Sequence, residues 1–333
     1  MFGRGGRADP HHRGDEKRAR IAATSHHLPA DGAQGQEPAH SGLLRGTLSS
    51  YRPVASEIRY ASYSSAAKAP EGYDCADVRG TTLVARHAHF EAVRTALRSG
   101  TLYDYAAHHE EGRSLSGRGI AYAVPLPNGE RVVVRHNRHG GFFAPLTGDR
   151  FLPPTRAPYE LATSLRLTAY GVPTPEIVGY AVYRAGPLFR RSDVASREVR
   201  DGTDLATILT TSDAGERRAA LGAAAGLIGL LSACGARHHD LNVKNVLLER
   251  ATAPSGALLL TAHVLDVDRV EFGRPGDSRI TEGNLDRFMR SARKWRELHD
   301  ARVEEADLVR VAASVRRFVS SRPSGEFRAS TRS

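Results

Sequence analysis

Cysteine, tryptophan and methionine are nearly absent. The 333 residues include two cysteines, one tryptophan and two methionines. Cys75 and Cys234 are too few for a disulfide framework, which points to a reducing cytosol. A long hydrophobic run is also missing. The longest, Leu221 to Ala236, is interrupted by four glycines and falls short of the about 20 residues a membrane span requires. It reads as a buried helix. Met1 to Arg20 are polar and carry no apolar stretch of a secretory leader. These absences predict a cytoplasmic globular protein.

What is present fits that class. Hydrophobic residues make up 40% of the chain and charged residues 25%. The net charge of +10 suits nucleic acid, anionic lipid or a phosphate-bearing substrate equally. Residues 1–55 are rich in Gly, Arg, His, Ala and Pro without periodicity and are expected to be a disordered basic tail. Because many basic residues lie in that tail rather than on a folded face with aromatics, no nucleic-acid partner is expected. Residues 56–111 form an extension expected to pack on the lobe that follows, with a helix over 89–97. Residues 321–333 are expected to be a second flexible tail.

The chemistry-bearing stretch is Arg237-His238-His239-Asp240-Leu241-Asn242-Val243-Lys244-Asn245-Val246-Leu247-Leu248, a polar loop running into a strand. H-x-D-L-x-x-x-N is the spacing of a phosphotransferase catalytic loop. There the Asp takes the proton of an attacking hydroxyl and the Asn holds a metal ion. Asp240 and Asn245 occupy those places. Upstream, Ser116-Gly117-Arg118-Gly119 lies ahead of a strand (120–124), an Asn128-Gly129 turn and a returning strand (131–136). That is the order of a nucleotide roof, in which glycines let backbone N–H groups approach phosphates. Gly117, Arg118 and Gly119 are therefore cofactor-binding candidates. Arg135 stands at the cation position of the third strand. Glu160, near the start of a helix running to Gly171, is its candidate partner or, alternatively, a first-turn acid serving the helix dipole. Strands follow over 177–183 and within 188–199, and Glu198 and Val199 are expected near the adenine edge. Thr203 or Asp204 caps a helix through Leu209, and Ala219 to Cys234 supports the catalytic loop. A strand over 258–264 ends in Leu265-Asp266-Val267-Asp268, where Asp266 is the second candidate metal ligand. Helices are expected over 284–295 and 303–319. The architecture is α+β and two-lobed: an antiparallel-sheet N-lobe over 112–199 and a mainly helical C-lobe over 200–320.

These segments, with Val134-Arg135-His136-Asn137-Arg138-His139-Gly140-Gly141, Gly171-Val172-Pro173-Thr174-Pro175 and Asn284 to Ser291, resemble the lipopolysaccharide kinases. The likeness is strongest to those acting on 3-deoxy-D-manno-octulosonic acid (Kdo). It implies a protein-kinase-like fold, ATP and Mg2+ as cofactors, and a Kdo-bearing lipid A precursor as acceptor. It further implies a peripheral position on the anionic cytoplasmic face of the inner membrane. Under it, Asp240 is the base and Lys244 neutralises transferring charge. Asn245 and Asp266 hold magnesium, and Arg135, fixed by Glu160, steadies the phosphates. Arg138, Gly140, Gly141 and Asn242 would contact the acceptor. A kinase for a core heptose, a small molecule or a protein, and a nucleotide-binding pseudokinase, are the alternatives.

Overall fold

The computed structural model describes residues 69–115, 120–137, 149–256 and 258–322. The tails 1–55 and 323–333 lie outside them, as do Gly117, Arg118, Gly119, Arg138, Gly140 and Gly141.

The N-lobe grows from a hairpin of β4 (Ala121–Pro125) and β5 (Arg131–His136). Val132 and Val134 alternate into the core, as a pleated strand requires. The turn closes where Leu126 N–H donates to Glu130 O at 2.8 Å and Gly129 takes φ of +83°, a left-handed conformation that glycine adopts without a Cβ clash. β3 (Arg113–Leu115) flanks β4. On the other side of β5 stand β7 (Arg190–Arg197) and then β6 (Ile177–Arg184).

The sheet continues through two strands that the sequence reading leaves unassigned, β2 (Thr81–Arg86) and β1 (Tyr73–Val78). The full order is β1-β2-β6-β7-β5-β4-β3. The Arg79-Gly80 turn between β1 and β2 is left-handed at both residues and is anchored by Gly80 N–H on Asp77 Oδ1 at 2.8 Å.

Both sheet faces are covered. α1 (Phe90–Ala96) and α2 (Leu102–His108) bury Val93, Ala96, Leu102 and Ala106 against Leu83, Val124, Val132 and Val134. On the opposite face α3 (Arg156–Ala169) sets Ala157 and Leu161 against Val84, Tyr180 and Val194. This explains why β6 is buried along five consecutive residues, Ile177 to Ala181, rather than alternating.

At the end of β5 a buried polar network joins both layers. His136 Nδ1 meets Asp193 Oδ1 at 2.5 Å and its Nε2 meets Asp149 Oδ2 at 3.0 Å. Asp193, fully buried, also accepts from the Tyr183 hydroxyl at 2.9 Å and from Tyr103 N–H at 3.0 Å. Burial works against the imidazolium, but the two carboxylates outweigh it and hold the His136 pKa above its ordinary value. A histidine raised in the folded state stabilises fully below its unfolded pKa of about 6.5 and loses that contribution as pH rises through the folded value. Thermal melts between pH 6 and 9 should therefore fall with pH in the wild type, and the His136→Gln variant should show a flatter profile.

The C-lobe is built on α5 (Ala214–Ala233), whose Ala224, Leu227, Ile228 and Leu231 are buried. Around it pack α4 (Leu205–Thr211), α6 (Ser278–His299) and α7 (Glu305–Ser320). Asp204 caps α4, accepting from Thr207 N–H at 3.0 Å. A small sheet of β8 (Thr203–Asp204), β10 (Val246–Thr252) and β11 (Leu258–Val264) completes the lobe with the pair β9 (Ala236–His238) and β12 (Val270–Phe272). No helix among the described residues is long and apolar enough to cross a membrane.

Candidate active site

The catalytic loop starts where α5 must stop. Gly235 has φ of +77°, and a Cβ there would stand 2.6 Å from Gly273 O. Only glycine allows the chain to turn so tightly into β9. β9 pairs with β12, placing His238 opposite Val270. Asn284, fully buried on α6, accepts from His238 N–H at 3.0 Å and donates to Ala236 O at 2.9 Å. One amide thus fixes the entry to the loop, a task the sequence reading did not assign.

His238 is itself a spacer. Its Nδ1 accepts from Asp240 N–H at 3.1 Å, and its Nε2 is 2.9 Å from Leu265 O. That pattern requires a neutral ring protonated on Nε2, and burial holds the His238 pKa below its ordinary value. The ring therefore ties Asp240 to the residue before Asp266.

The β10–β11 hairpin does the rest. Val246 lies opposite Val264, and Leu265 N–H donates to Asn245 O at 2.9 Å. Asn245 and Asp266 consequently stand at the same end of the hairpin. Asn245 Nδ2 donates to Asp240 O at 2.8 Å, and its Oδ1 accepts from no described residue. Asp266, left-handed at φ +52°, gives Oδ1 to Arg135 Nη1 at 3.1 Å and keeps Oδ2 without a described partner. A carboxylate oxygen and a pinned amide oxygen are hard donors of the kind Mg2+ accepts, with phosphate and water completing its shell. The donor set fits a magnesium ion.

Arg135 joins the lobes. Besides Asp266 it pairs with Glu160 of α3, a carboxylate 3% exposed. Glu160 holds the guanidinium pKa above its ordinary value. Burial pushes Glu160 up, and the pull of Arg135 does not cancel it. α3 is docked on the same segment by Arg156, whose Nη1 lies 3.3 Å from Asp268, and by Tyr159, whose hydroxyl donates to Val270 O. Asp268 is raised by burial and by Asp266.

Four expected site residues also make structural contacts. Asn242, expected on the acceptor, turns both ends of its amide inward. Its Oδ1 accepts from Lys244 N–H at 2.9 Å and Asn245 N–H at 3.1 Å, and its Nδ2 donates to Asp240 O at 3.2 Å. A short side chain at the start of a 3-10 turn satisfies the orphan amides there. Lys244, expected at the transferring phosphate, places Nζ 3.1 Å from Asp204 Oδ2 and 5.3 Å from the Trp295 ring centre. It points toward the head of α4. Arg287 of α6 touches Asp240, Nη2 to Oδ1 at 2.8 Å. Arg287 was visible in the sequence within Asn284 to Ser291, but its i+3 spacing from Asn284 gained meaning only once Asn284 was seen to anchor the loop. Glu198 follows β7 directly. Its N–H donates to Arg131 O at 3.0 Å and its carboxylate pairs with Arg113 and Arg131, so it braces the sheet at the crossing between lobes. Val199 O accepts from Gly202 N–H at 3.2 Å in the turn that follows.

A five-strand order β3-β4-β5-β7-β6, a cation on β5 paired to a helix acid, and a loop Asp beside an Asn–Asp pair define a protein-kinase-like fold with an α+β, two-lobed architecture. An enzyme so built is a phosphotransferase with an alcohol acceptor. The family model for the lipopolysaccharide kinase (Kdo/WaaP) family matches residues 108–314, and the chain belongs to that family. It is 32% identical over 190 residues to a 3-deoxy-D-manno-octulosonic acid kinase of Vibrio vulnificus strain CMCP6, covering 55% of this chain and 73% of that protein. A protein of the same name from Vibrio parahaemolyticus is 28% identical over 206 residues, covering 58% and 80%. The solved structure "WaaP in complex with acyl carrier protein" is similar at 19% identity and a TM-score of 0.46, covering 71% of this chain and 89% of that one.

Proposed function

We propose that this enzyme transfers the γ-phosphoryl group of ATP to a hydroxyl of Kdo on a lipid A precursor. The observation that carries the proposal is the Arg135–Glu160–Asp266 contact, which joins both lobes around one cleft in a chain of this family. Asp240 accepts the hydroxyl proton as its oxygen bonds to the γ-phosphorus; the bond from that phosphorus to the bridging oxygen breaks and ADP leaves. Arg135 steadies the phosphates, and Glu160 keeps the guanidinium aimed at them. Asn245 and Asp266 would hold magnesium, which neutralises charge on the phosphate oxygens when bound. Gly117, Arg118 and Gly119 would cover the phosphates. Arg138 with Gly140 and Gly141 would meet an anionic part of the acceptor.

The acceptor is lipid-linked, so the enzyme needs a face for an anionic membrane surface. Leu188 and Phe189 are exposed at the tip of the β6–β7 hairpin, and the Phe151–Arg190 bridge brings exposed Leu152 beside them. Arg184 and Arg190 flank the tip. Apolar side chains ringed by arginine suit an interface with anionic headgroups. In the sheet register this end also carries the end of β3, the start of β4 and the end of β5.

The test is transfer from labelled ATP with magnesium to Kdo-bearing lipid A precursor, dispersed in detergent or carried in phosphatidylglycerol vesicles. Labelled lipid is the expected result. The paired substitution Leu188→Asp with Phe189→Asp should cut transfer in vesicles at least about tenfold more than in detergent. Bound ATP without labelled lipid would reject the acceptor.

A further inference from the structure

The contact between Asp240 and Arg287 is lopsided. The carboxylate is enclosed, its side chain 16% exposed, whereas the Arg287 side chain is 44% exposed. The single hydrogen bond to Asp240 at 2.8 Å is the only one Arg287 makes among the described residues. An arginine carries five N–H groups in a planar fork, so most of its donors have no partner among the described residues.

Other basic residues of α6 are neutralised locally. Arg279 pairs with Asp277, and Arg293 and Arg296 pair with Glu305. Arg290 and Lys294 are not: both are exposed and neither has an ion-pair partner among the described residues. Three and seven positions after Arg287, they share its side of the helix. A positive stripe of Arg287, Arg290 and Lys294, followed by the exposed Glu297, therefore begins at a cation that touches the candidate base.

A hydroxyl within hydrogen-bond reach of Asp240 must lie a few ångströms from this guanidinium. We propose that Arg287 is a specificity-determining residue. It binds an anionic group, carboxylate or phosphate, that neighbours the attacking hydroxyl, while Arg290 and Lys294 extend the positive field along the bound acceptor. The inference rests on the sugar-kinase reading above. Two charge-assisted bonds from one planar fork fix the ring's orientation as well as its affinity. A neutral sugar leaves those donors facing the substrate unanswered, which is the efficient way to reject it.

The experiment compares matched acceptors. One pair is the methyl glycoside of Kdo and its counterpart with the carboxyl reduced to the alcohol. The other is a hexose phosphate glycoside and its dephosphorylated form. Wild type should favour the anionic member of at least one pair by about 30-fold or more in kcat/KM, chiefly through KM, and the pair that shows the preference identifies the anion. Arg287→Gln should bring that ratio to within about threefold, and Arg287→Lys should keep part of it. Arg290→Gln does not touch Asp240 and should lower the ratio by about 3-fold to 10-fold, a check that survives if Arg287→Gln fails to fold. Equal use of anionic and neutral acceptors by the wild type overturns the inference and leaves the kinase reading standing. So does an unchanged ratio in Arg287→Gln, or in Arg290→Gln should the first variant not fold. A wild type that transfers to no sugar acceptor overturns the reading itself and the inference with it.

Discussion

Asp240→Asn is expected to lower phosphoryl transfer by about 10²- to 10⁴-fold, the range a positioned general base supplies. The substitution is nearly isosteric. Arg287 keeps an acceptor at its 2.8 Å contact, because an asparagine side-chain oxygen can replace Oδ1. The backbone contacts of residue 240 to His238, Asn242 and Asn245 do not involve its carboxylate at all. The loop geometry should persist, and only the ability to take a proton disappears. Steady-state rates set beside nucleotide binding will separate the two. Lost turnover with retained nucleotide affinity is the expected pattern. Retained turnover would mean that another group accepts the proton.

The second large effect is at Glu160. Its carboxylate is almost completely buried, and desolvation raises its pKa above the ordinary value of about 4.3. The folded state therefore binds the proton more tightly than the unfolded chain. Stability from this group falls as pH rises from about 4.3 through the folded pKa. Glu160→Gln removes the titrating group and can still accept one hydrogen bond from Arg135. Transfer should drop by about 10²-fold, since a guanidinium left with Asp266 as its one ionised partner shifts from the phosphates and small misplacements have effects of that size. Activity should fall, and the decline of Tm as pH rises above about 4.3 should flatten relative to the wild type. A Tm lower by several degrees with full activity would instead make the pair a structural brace.

Much of this was legible in the sequence because the signals were redundant. β5 announces itself by Val132-Val133-Val134 after Asn128-Gly129, and the helix starting at Leu205 by the Asp204 cap. Asp240 and Asn245 are read from spacing within one loop, where sequence distance and spatial distance agree. The contacts that the sequence did not show are those between remote residues. Lys244 meets Asp204, 40 positions away, and Arg287 meets Asp240, 47 positions away. A lysine beside a catalytic loop reads as catalytic until the cap that takes its charge is seen. Asn242 looks available from its exposed polar surroundings, yet orphan amides of a 3-10 turn claim it. β1 escaped notice because an edge strand needs little apolar patterning: apart from Tyr73 its residues are only half buried or exposed.

The two added strands change what counts as the smallest intact version of this enzyme. The family match begins at residue 108, the last residue of α2. A polypeptide cut there would strip β2 from β6, opening the backbone donors and acceptors from Gly179 to Val182. It would also remove Leu83, Val93, Ala96, Leu102 and Ala106 from a core shared with Val124, Val132 and Val134. An open sheet margin beside a stripped apolar surface is a template for self-association. The boundary drawn by homology and the boundary drawn by packing thus differ by more than 30 residues, Tyr73 to residue 108, and expression of the catalytic unit has to follow the second.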